Sequence, residues 1–469
     1  MKRIYALSYC FLLCALPASA QQVVDLSPIV ISGTRLIESP SSLESSRLET
    51  EDLGRRGIAD LSTALQEVQG VDIYSSSVIS GAGAVSIRGM DSTYTQVMYN
   101  GIKMFDPIST TGYFSGYRYF PLATFDEVQI LKGPYSSLYG SGGIGGNIHL
   151  TSERGEGKPT WTYRQEVGSY RTFMETLKVK GESGNLDYAF HASREDVGSM
   201  YATRYKEGNH ETDPLGITSL GGRLDYDMND EITIGGMGDF VSSRYEYDGS
   251  AWTPPYNPVD DDSNVENYAQ GVGMVYIEQK VSCEFEHKLS VGGNRVYRKG
   301  QDSSADVWYD GVSQQVKYDG VWDILSWDRV SFGADYLEEK GESFWGTYNP
   351  KRSTNTRGVF IQNRVEPLEG TRLITGTRLE DHSSFGHQGT YSIRGEQDVV
   401  DGGTVYGSYG TGFKAPSLYQ LYAPTYGTSD LGAEQSASFE VGYDQRINQV
   451  SFGQAFFQTD IDDMIDFNS

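Results

Sequence analysis

Val128-Gln129-Ile130-Leu131-Lys132-Gly133-Pro134 is followed, after four residues, by Tyr139-Gly140-Ser141-Gly142-Gly143-Ile144-Gly145-Gly146-Asn147-Ile148-His149-Leu150. The first run reads as a short strand that ends in a Gly-Pro turn. The second packs five glycines into the seven positions from Gly140, a density that lets backbones approach closely or adopt positive φ. A phosphate-cradling loop would continue with a Lys-Ser/Thr pair and a helix. Here the strand-like Asn147-Ile148-His149-Leu150 follows instead, which points away from nucleotide binding.

Downstream, from about Trp161, short alternating segments end repeatedly in Asn, Asp or Gly turns. In Leu186-Asp187-Tyr188-Ala189-Phe190-His191-Ala192, Leu186, Tyr188, Phe190 and Ala192 fall on one face, and Asp187 and His191 on the other. Period-two alternation is strand. Similar segments begin near Arg171, Ile217, Glu231, Tyr268, Cys283, Gln315, Val330, Arg357, Thr371, Thr404, Ser436 and Val450, giving about fifteen strands. Gly184-Asn185, Asn229-Asp230 and Asn448-Gln449 are tight turns, whereas Tyr201 to Gly216 and Tyr247 to Asn267 are long, polar and acidic. Short turns on one rim and long loops on the other are the pattern of an outer-membrane barrel. Alternation alone also leaves a secreted sandwich or propeller open.

Upstream, Ile58 to Val68 carries apolar residues at Ile58, Leu61, Leu65 and Val68, a helical spacing, so a small mixed α/β domain precedes the barrel. Met1 to Ala20 reads as a cleaved secretory signal, with Lys2 and Arg3, an apolar stretch from Ile4 to Leu16, and Ala18-Ser19-Ala20. Its loss removes Cys10 and Cys14, so the mature chain keeps only Cys283 and no internal disulfide. The net charge of −25 becomes about −27 without Lys2 and Arg3, which argues against nucleic acid as a partner. No later run is apolar enough for a transmembrane helix, yet 55 Gly, 33 Tyr and 19 Phe suit turns and aromatic belts.

Taken in order, these motifs resemble the TonB-dependent receptor family. Val128 to Ile148 looks like its VxxLKGP…LYG…GGxI plug signature. Ser86-Ile87-Arg88-Gly89 looks like its IRG element, and Val97-Met98-Tyr99-Asn100-Gly101-Ile102 like its VLxDGV element, with Asn100 for the usual Asp. Ser408 to Tyr422 resembles YGTGFKAPSLxQLY, closest to vitamin B12 receptors. The resemblance implies an N-terminal α/β plug domain inside an antiparallel transmembrane β-barrel, of about 22 strands in the family. The expected organisation is signal peptide 1–20, TonB box and linker 21–45, plug 46–154 and incomplete barrel 155–469. Such a chain would be a monomer in the outer membrane of a Gram-negative bacterium, surrounded by lipid, with its TonB box facing the periplasm. An open sheet edge in lipid would leave backbone groups unsatisfied.

Several sites are implied. Ser27, Pro28, Ile29, Val30, Ile31 and Ser32 are similar to the TonB box, a β-prone run able to add to a partner's sheet, here the TonB-ExbB-ExbD complex. Arg88 and Lys132 on the plug, with Glu434 and Glu440 on the barrel, are expected to form an ion-pair lock. Tyr113, Phe114, Tyr117 and Tyr119, in a crowd that includes Tyr74 and Phe120, are candidates for the face that meets ligand. Glu211, Asp213, Tyr247, Asp248 and Asp261 supply hard oxygens for a candidate structural calcium; solvated loop acid accounts for them equally well. The six histidines show no paired metal spacing. The ligand expected first is cobalamin, and second a ferric siderophore or haem. A passive porin or adhesin would need neither plug nor coupling box, and a secreted glycosidase would need a marked carboxylate pair. No GxSxG, HExxH or Cys-His arrangement stands in a credible context, so the chain is not expected to be an enzyme and no cofactor is expected.

Overall fold

The computed structural model describes residues 45–75, 83–110, 112–198, 212–250, 258–259, 263–301, 306–345, 347–424, 426–448 and 450–466. An inner domain comes first. Its elements are β1 (Ser45–Glu49), α1 (Thr50–Arg55), α2 (Leu61–Gln66), β2 (Val71–Ser75), β3 (Gly83–Ile87), β4 (Thr95–Tyr99), β5 (Ile102–Met104), β6 (Phe125–Lys132), α3 (Ser136–Tyr139) and β7 (Gly146–Ser152). The main sheet runs β1-β6-β7-β4-β5, with β4 and β7 parallel, and β2 and β3 form a separate pair. The helix expected over Ile58–Val68 is shorter, because Asp60 caps it by accepting the Thr63 N–H at 3.0 Å. Its apolar face still enters the core, where Leu61 and Leu65 pack with Ile87, Val97, Phe125, Ile130 and Ile148. Each such side chain contributes about 1.5–3 kcal/mol by leaving water.

Local chemistry explains the tight joints. Asn100 and Gly101 both take positive φ, at 46° and 87°, and turn β4 into β5 as a hairpin. Asn100 fits there because Asn tolerates the left-handed region, and its Nδ2–H donates to Ser152 Oγ at 2.9 Å. In the glycine cluster, a Cβ at Gly146 would lie 2.5 Å from the Leu131 carbonyl, so close packing of β7 on β6 needs glycine.

The second body is a single sheet of fifteen strands. It comprises β8 (Thr160–Gly168), β9 (Thr172–Ser183), β10 (Leu186–Val197), β11 (Leu215–Asp227) and β12 (Ile232–Glu246). After the two-residue pair β13 (Gly249–Ser250) and β14 (Pro258–Val259) come β15 (Val265–Lys280), β16 (Phe285–Gln301), β17 (Asp306–Leu325), β18 (Asp328–Trp345) and β19 (Thr347–Leu368). Next are β20 (Thr371–His382), β21 (Gly386–Val400), β22 (Gly403–Lys414), α4 (Leu418–Tyr422), β23 (Glu434–Ile447) and β24 (Val450–Asp462). Every strand pairs antiparallel with its neighbours, and β8 and β24 are the two edges.

The sheet is inside-out. Phe190, Leu220, Phe240, Val275, Val291, Val316 and Ile361 are exposed on its outer face, while Asp225, Asp239, Gln270, Asn294, Lys317, Arg378 and Glu380 are buried on its inner face. The apolar side of Leu186–Ala192 accordingly faces outward and His191 inward. A water-soluble sandwich would bury the apolar face; this arrangement suits a lipid surround and a polar lumen filled by the inner domain. On one rim the connections are tight turns such as Gly184-Asn185; the other rim carries the longest connections, including residues 415–433, among short ones such as residues 383–385.

Candidate functional site

The plug and the wall meet through charge. Arg88 sits just past β3 with φ of 56°, its N–H bonded to the Gly70 carbonyl at 2.8 Å. That bend sends its guanidinium into the wall, where Nη1 and Nη2 donate to Glu440 Oε2 and Oε1 at 2.7 and 3.0 Å. Tyr406 donates to the same carboxylate at 3.0 Å, and Arg88 Cζ lies 4.4 Å over the Phe457 ring. Both charges are almost wholly buried. Lys132 lies beside them, and burial first, then the neighbouring Arg88 cation, push its amine down to about 8, against the pull of Glu440. Glu434 stands apart from this lock, although the sequence groups it there. Its Oε1 accepts the Ile465 N–H at 2.8 Å, and its charge helps hold the Tyr94 hydroxyl above its usual range, after burial.

The Lys132 amine therefore opposes folding while it is charged. Its folded value lies below the ordinary 10.5, so the unfolded chain binds more protons between about pH 8 and 10.5, and stability should rise with pH across that window. The difference between wild type and Lys132→Met in urea midpoints at pH 7 and pH 9.5 measures this. A difference independent of pH would refute it.

Further links escaped sequence reading because they lie far apart in the chain and carry no motif. Arg118 pairs with Glu195 through both guanidinium nitrogens, and Tyr99 donates to Asp239. Lys317 Nζ donates to the Gly101 carbonyl at 2.8 Å and Asn294 Nδ2 to the Phe105 carbonyl at 2.7 Å. Arg378 holds Asp335 bidentately at 2.7 and 2.9 Å and Glu380 at 2.5 Å, directly against Gly140.

Towards the rim of longer connections, the plug presents a turn that begins at Asp106-Pro107. Arg298 from β16 donates through Nε to Asp106 Oδ2 at 2.9 Å, with Nη2 in ion-pair contact with the same oxygen at 2.8 Å and its Cζ 4.4 Å over Tyr309. From the other side α4 folds back into the lumen. Its cap, Ser417, shares a capping box with Gln420 and donates to the Thr110 carbonyl at 3.1 Å, while the Leu418 N–H donates to the Pro107 carbonyl at 3.2 Å. Arg352 lies 5.6 Å over the Tyr422 ring. Below, a cavity of about 100 Å³ between plug and wall is lined by Lys103, Gln96, Glu339 and Tyr113, among others, and has room for water-sized molecules rather than a bulky ligand.

The aromatic expectation needs correction. Phe114, Tyr117 and Tyr119 are buried in the core, with Phe114 edge-on to Tyr117 at 4.6 Å and Tyr119 against the wall residue Tyr268 at 4.4 Å. Their large area stabilises the plug and its seam instead of facing outward. Only Tyr113 of the four is half-buried at the cavity. Nearer the rim of longer connections, Tyr309 and Tyr422 lie under Arg298 and Arg352 and Tyr426 is exposed, tyrosines that the alternation pattern hides among ordinary strand and loop residues. Ser27 to Ser32, Glu211 and Asp261 lie outside the described residues. Asp213 is buried and Tyr247 and Asp248 half-buried; among the described residues no three His, Cys, Asp or Glu side chains form a group able to hold a metal ion.

Comparison with known proteins gives two family matches: the TonB-dependent receptor plug domain over residues 35–147, and the TonB-dependent receptor-like β-barrel over residues 135–469. The siderophore receptor PirA from Acinetobacter baumannii matches in structure with a TM-score of 0.74 at 17% identity, over 89% of this chain and 70% of that one. A mutant ferric enterobactin receptor PfeA from Pseudomonas aeruginosa, in complex with enterobactin, gives 0.72 at 16%, over 89% and 72%. FpvA of P. aeruginosa bound to heterologous pyoverdines gives 0.73 at 16%, over 91% and 64%.

Proposed function

The chain belongs to the TonB-dependent receptor family, and from that premise we propose that it captures an anionic ferric siderophore at the cell surface for uptake past the plug. It is an outer-membrane protein of a Gram-negative bacterium, with the short turns periplasmic and the long loops outward. The observation that carries the ligand class is the mouth itself. In a strongly acidic protein, two arginines, Arg298 and Arg352, stand over tyrosine rings at the base of the outer loops. Guanidinium and phenol together suit an anionic, aromatic-rich chelate, because the cation attracts its charge and the rings stack on its arms.

The motif Ser408 to Tyr422, which suggested cobalamin, is occupied with holding α4 to the plug through Ser417 and Leu418, so it speaks of assembly more than of ligand. The siderophore receptors among the matched structures favour the same reading. Energy would reach the plug through Ser27 to Ser32, bound as an added strand by the TonB-ExbB-ExbD complex.

Equilibrium binding of ferric enterobactin, ferric pyoverdine and cyanocobalamin to the receptor, followed by fluorescence quenching, tests the ligand. Tight binding of a ferric chelate is expected, and Arg352→Ala should weaken it about tenfold through loss of the cation at the mouth. Tight binding of cyanocobalamin alone would overturn the proposal in favour of cobalamin uptake.

A further inference from the structure

The plug's outward turn hangs on one carboxylate. Asp106 Oδ1 accepts the Ile108 N–H at 3.1 Å and its carbonyl accepts the Ser109 N–H at 3.1 Å, so this residue shapes the turn. Its other carboxylate oxygen, Oδ2, is held by Arg298 of the wall at 2.8 and 2.9 Å. The two partners are unequally sheltered: the Asp106 side chain is 4% exposed and that of Arg298 25%. Among the described residues, Arg298 Nη1 makes no hydrogen bond. The guanidinium therefore holds Asp106 through Nε and Nη2 alone, and an anion that engages its planar fork bidentately competes with Asp106 for the same charge.

We propose that Arg298 is a competitive switch, in which an acidic group of the incoming chelate takes the guanidinium from Asp106 and so frees the plug's outward turn. This rests on the reading that the ligand is anionic. Asp106, once deprived of its partner, is a buried carboxylate left with only the Ile108 N–H and no opposing charge, so the turn rearranges to rehydrate it. The α4 contacts at Pro107 and Thr110 keep the displaced turn tethered, so the movement stays local. Coupling of this kind is reciprocal. If the ligand weakens the hold of Asp106 on Arg298, Asp106 weakens the ligand by the same factor.

That reciprocity supplies the test. Binding of a ferric tris-catecholate, which carries net negative charge, and a neutral ferric tris-hydroxamate is measured on the intact receptor and on Asp106→Asn. The variant should bind the tris-catecholate about tenfold more tightly, within the usual range of coupling, and the tris-hydroxamate unchanged. Amide exchange at Ile108 and Ser109 should quicken in wild type on adding the tris-catecholate, and be fast in Asp106→Asn without it. Equal or weaker tris-catecholate binding by Asp106→Asn overturns the switch while leaving the ligand class standing. Wild type that binds no tris-catecholate overturns the ligand class and the switch with it. Should Asp106→Asn fail to assemble, Arg298→Gln carries the same test, with tris-catecholate affinity lowered about tenfold and tris-hydroxamate affinity unaltered. If Arg298 served only to hold the plug, both chelates would shift together.

Discussion

Glu440→Ala will destabilise the docked plug by about 3–5 kcal/mol, because it removes one partner of a buried ion pair and leaves the other. Arg88 would keep the face of Phe457, but a cation–π contact returns only about 0.5–2 kcal/mol. Lys132 makes matters worse, since a second cation shares the same buried region and Glu440 is the charge that offsets it. The Tyr406 hydroxyl also loses its acceptor. Urea titration of the wild type and the variant measures the effect, and the exposed pair of Arg194 and Asp196 supplies the contrast. Asp196→Ala should cost about 0–1 kcal/mol, since a solvated pair contributes little. The double variant Arg88→Ala with Glu440→Ala should be less destabilised than the two single changes added together, as no uncompensated charge remains. If Glu440→Ala proved as mild as Asp196→Ala, the lock would be ornament.

Gly140→Val is expected to unseat the plug while the barrel still assembles. Gly140 has φ of 75° and ψ of −150°, a region that residues with a Cβ scarcely enter. A Cβ there would also collide with Glu380 Oε1, and Glu380 cannot yield freely because Arg378 ties it to Asp335. Strain and overpacking together should cost about 2–5 kcal/mol. Limited trypsin digestion should then cut the plug while heat-modified mobility still reports a folded barrel. Gly142→Ala is the comparison: φ is 101°, but nothing lies within 4 Å of its Cβ, so only the backbone cost of about 1 kcal/mol applies. Equal protease resistance in Gly140→Val and wild type would refute the account.

The fold was legible in the sequence where chemistry is local. The glycine run, the alternation from Trp161 and the turn pairs led directly to plug, barrel and rims. Strand starts were missed where strands leave the apolar band: β17 begins at Asp306 and β19 at Thr347, nine and ten residues before the expected Gln315 and Arg357. At the start of β19, from Asn349 to Thr356, both faces are polar and period two vanishes, while in β17 the consecutive Val307, Trp308 and Tyr309 break the alternation. Within the site, Arg88 and Lys132 were legible through plug motifs and Glu440, with Glu434, through the family resemblance; the structure brings Arg88, Lys132 and Glu440 together and sets Glu434 apart. Arg298 and Asp106 were not, because 192 positions separate them and neither belongs to a repeated pattern. The aromatic cluster misled for a different reason: a tyrosine that faces ligand and one that faces a wall are the same letter.

The unequal rims bear on how such a molecule can change over generations. A two-residue turn such as Gly184-Asn185 fixes the register of β9 on β10, and a one-residue slip there would exchange the outer and inner faces of the strand that slipped. Variation on that rim is therefore penalised at once. The stretch between β22 and β23 carries no such constraint beyond α4: residues past Tyr422 can be lengthened or replaced without disturbing a single rung of the ladder. One rim of the sheet thus holds architecture fixed while the other is open to invention, and a lineage can acquire a new diet without relearning how to fold.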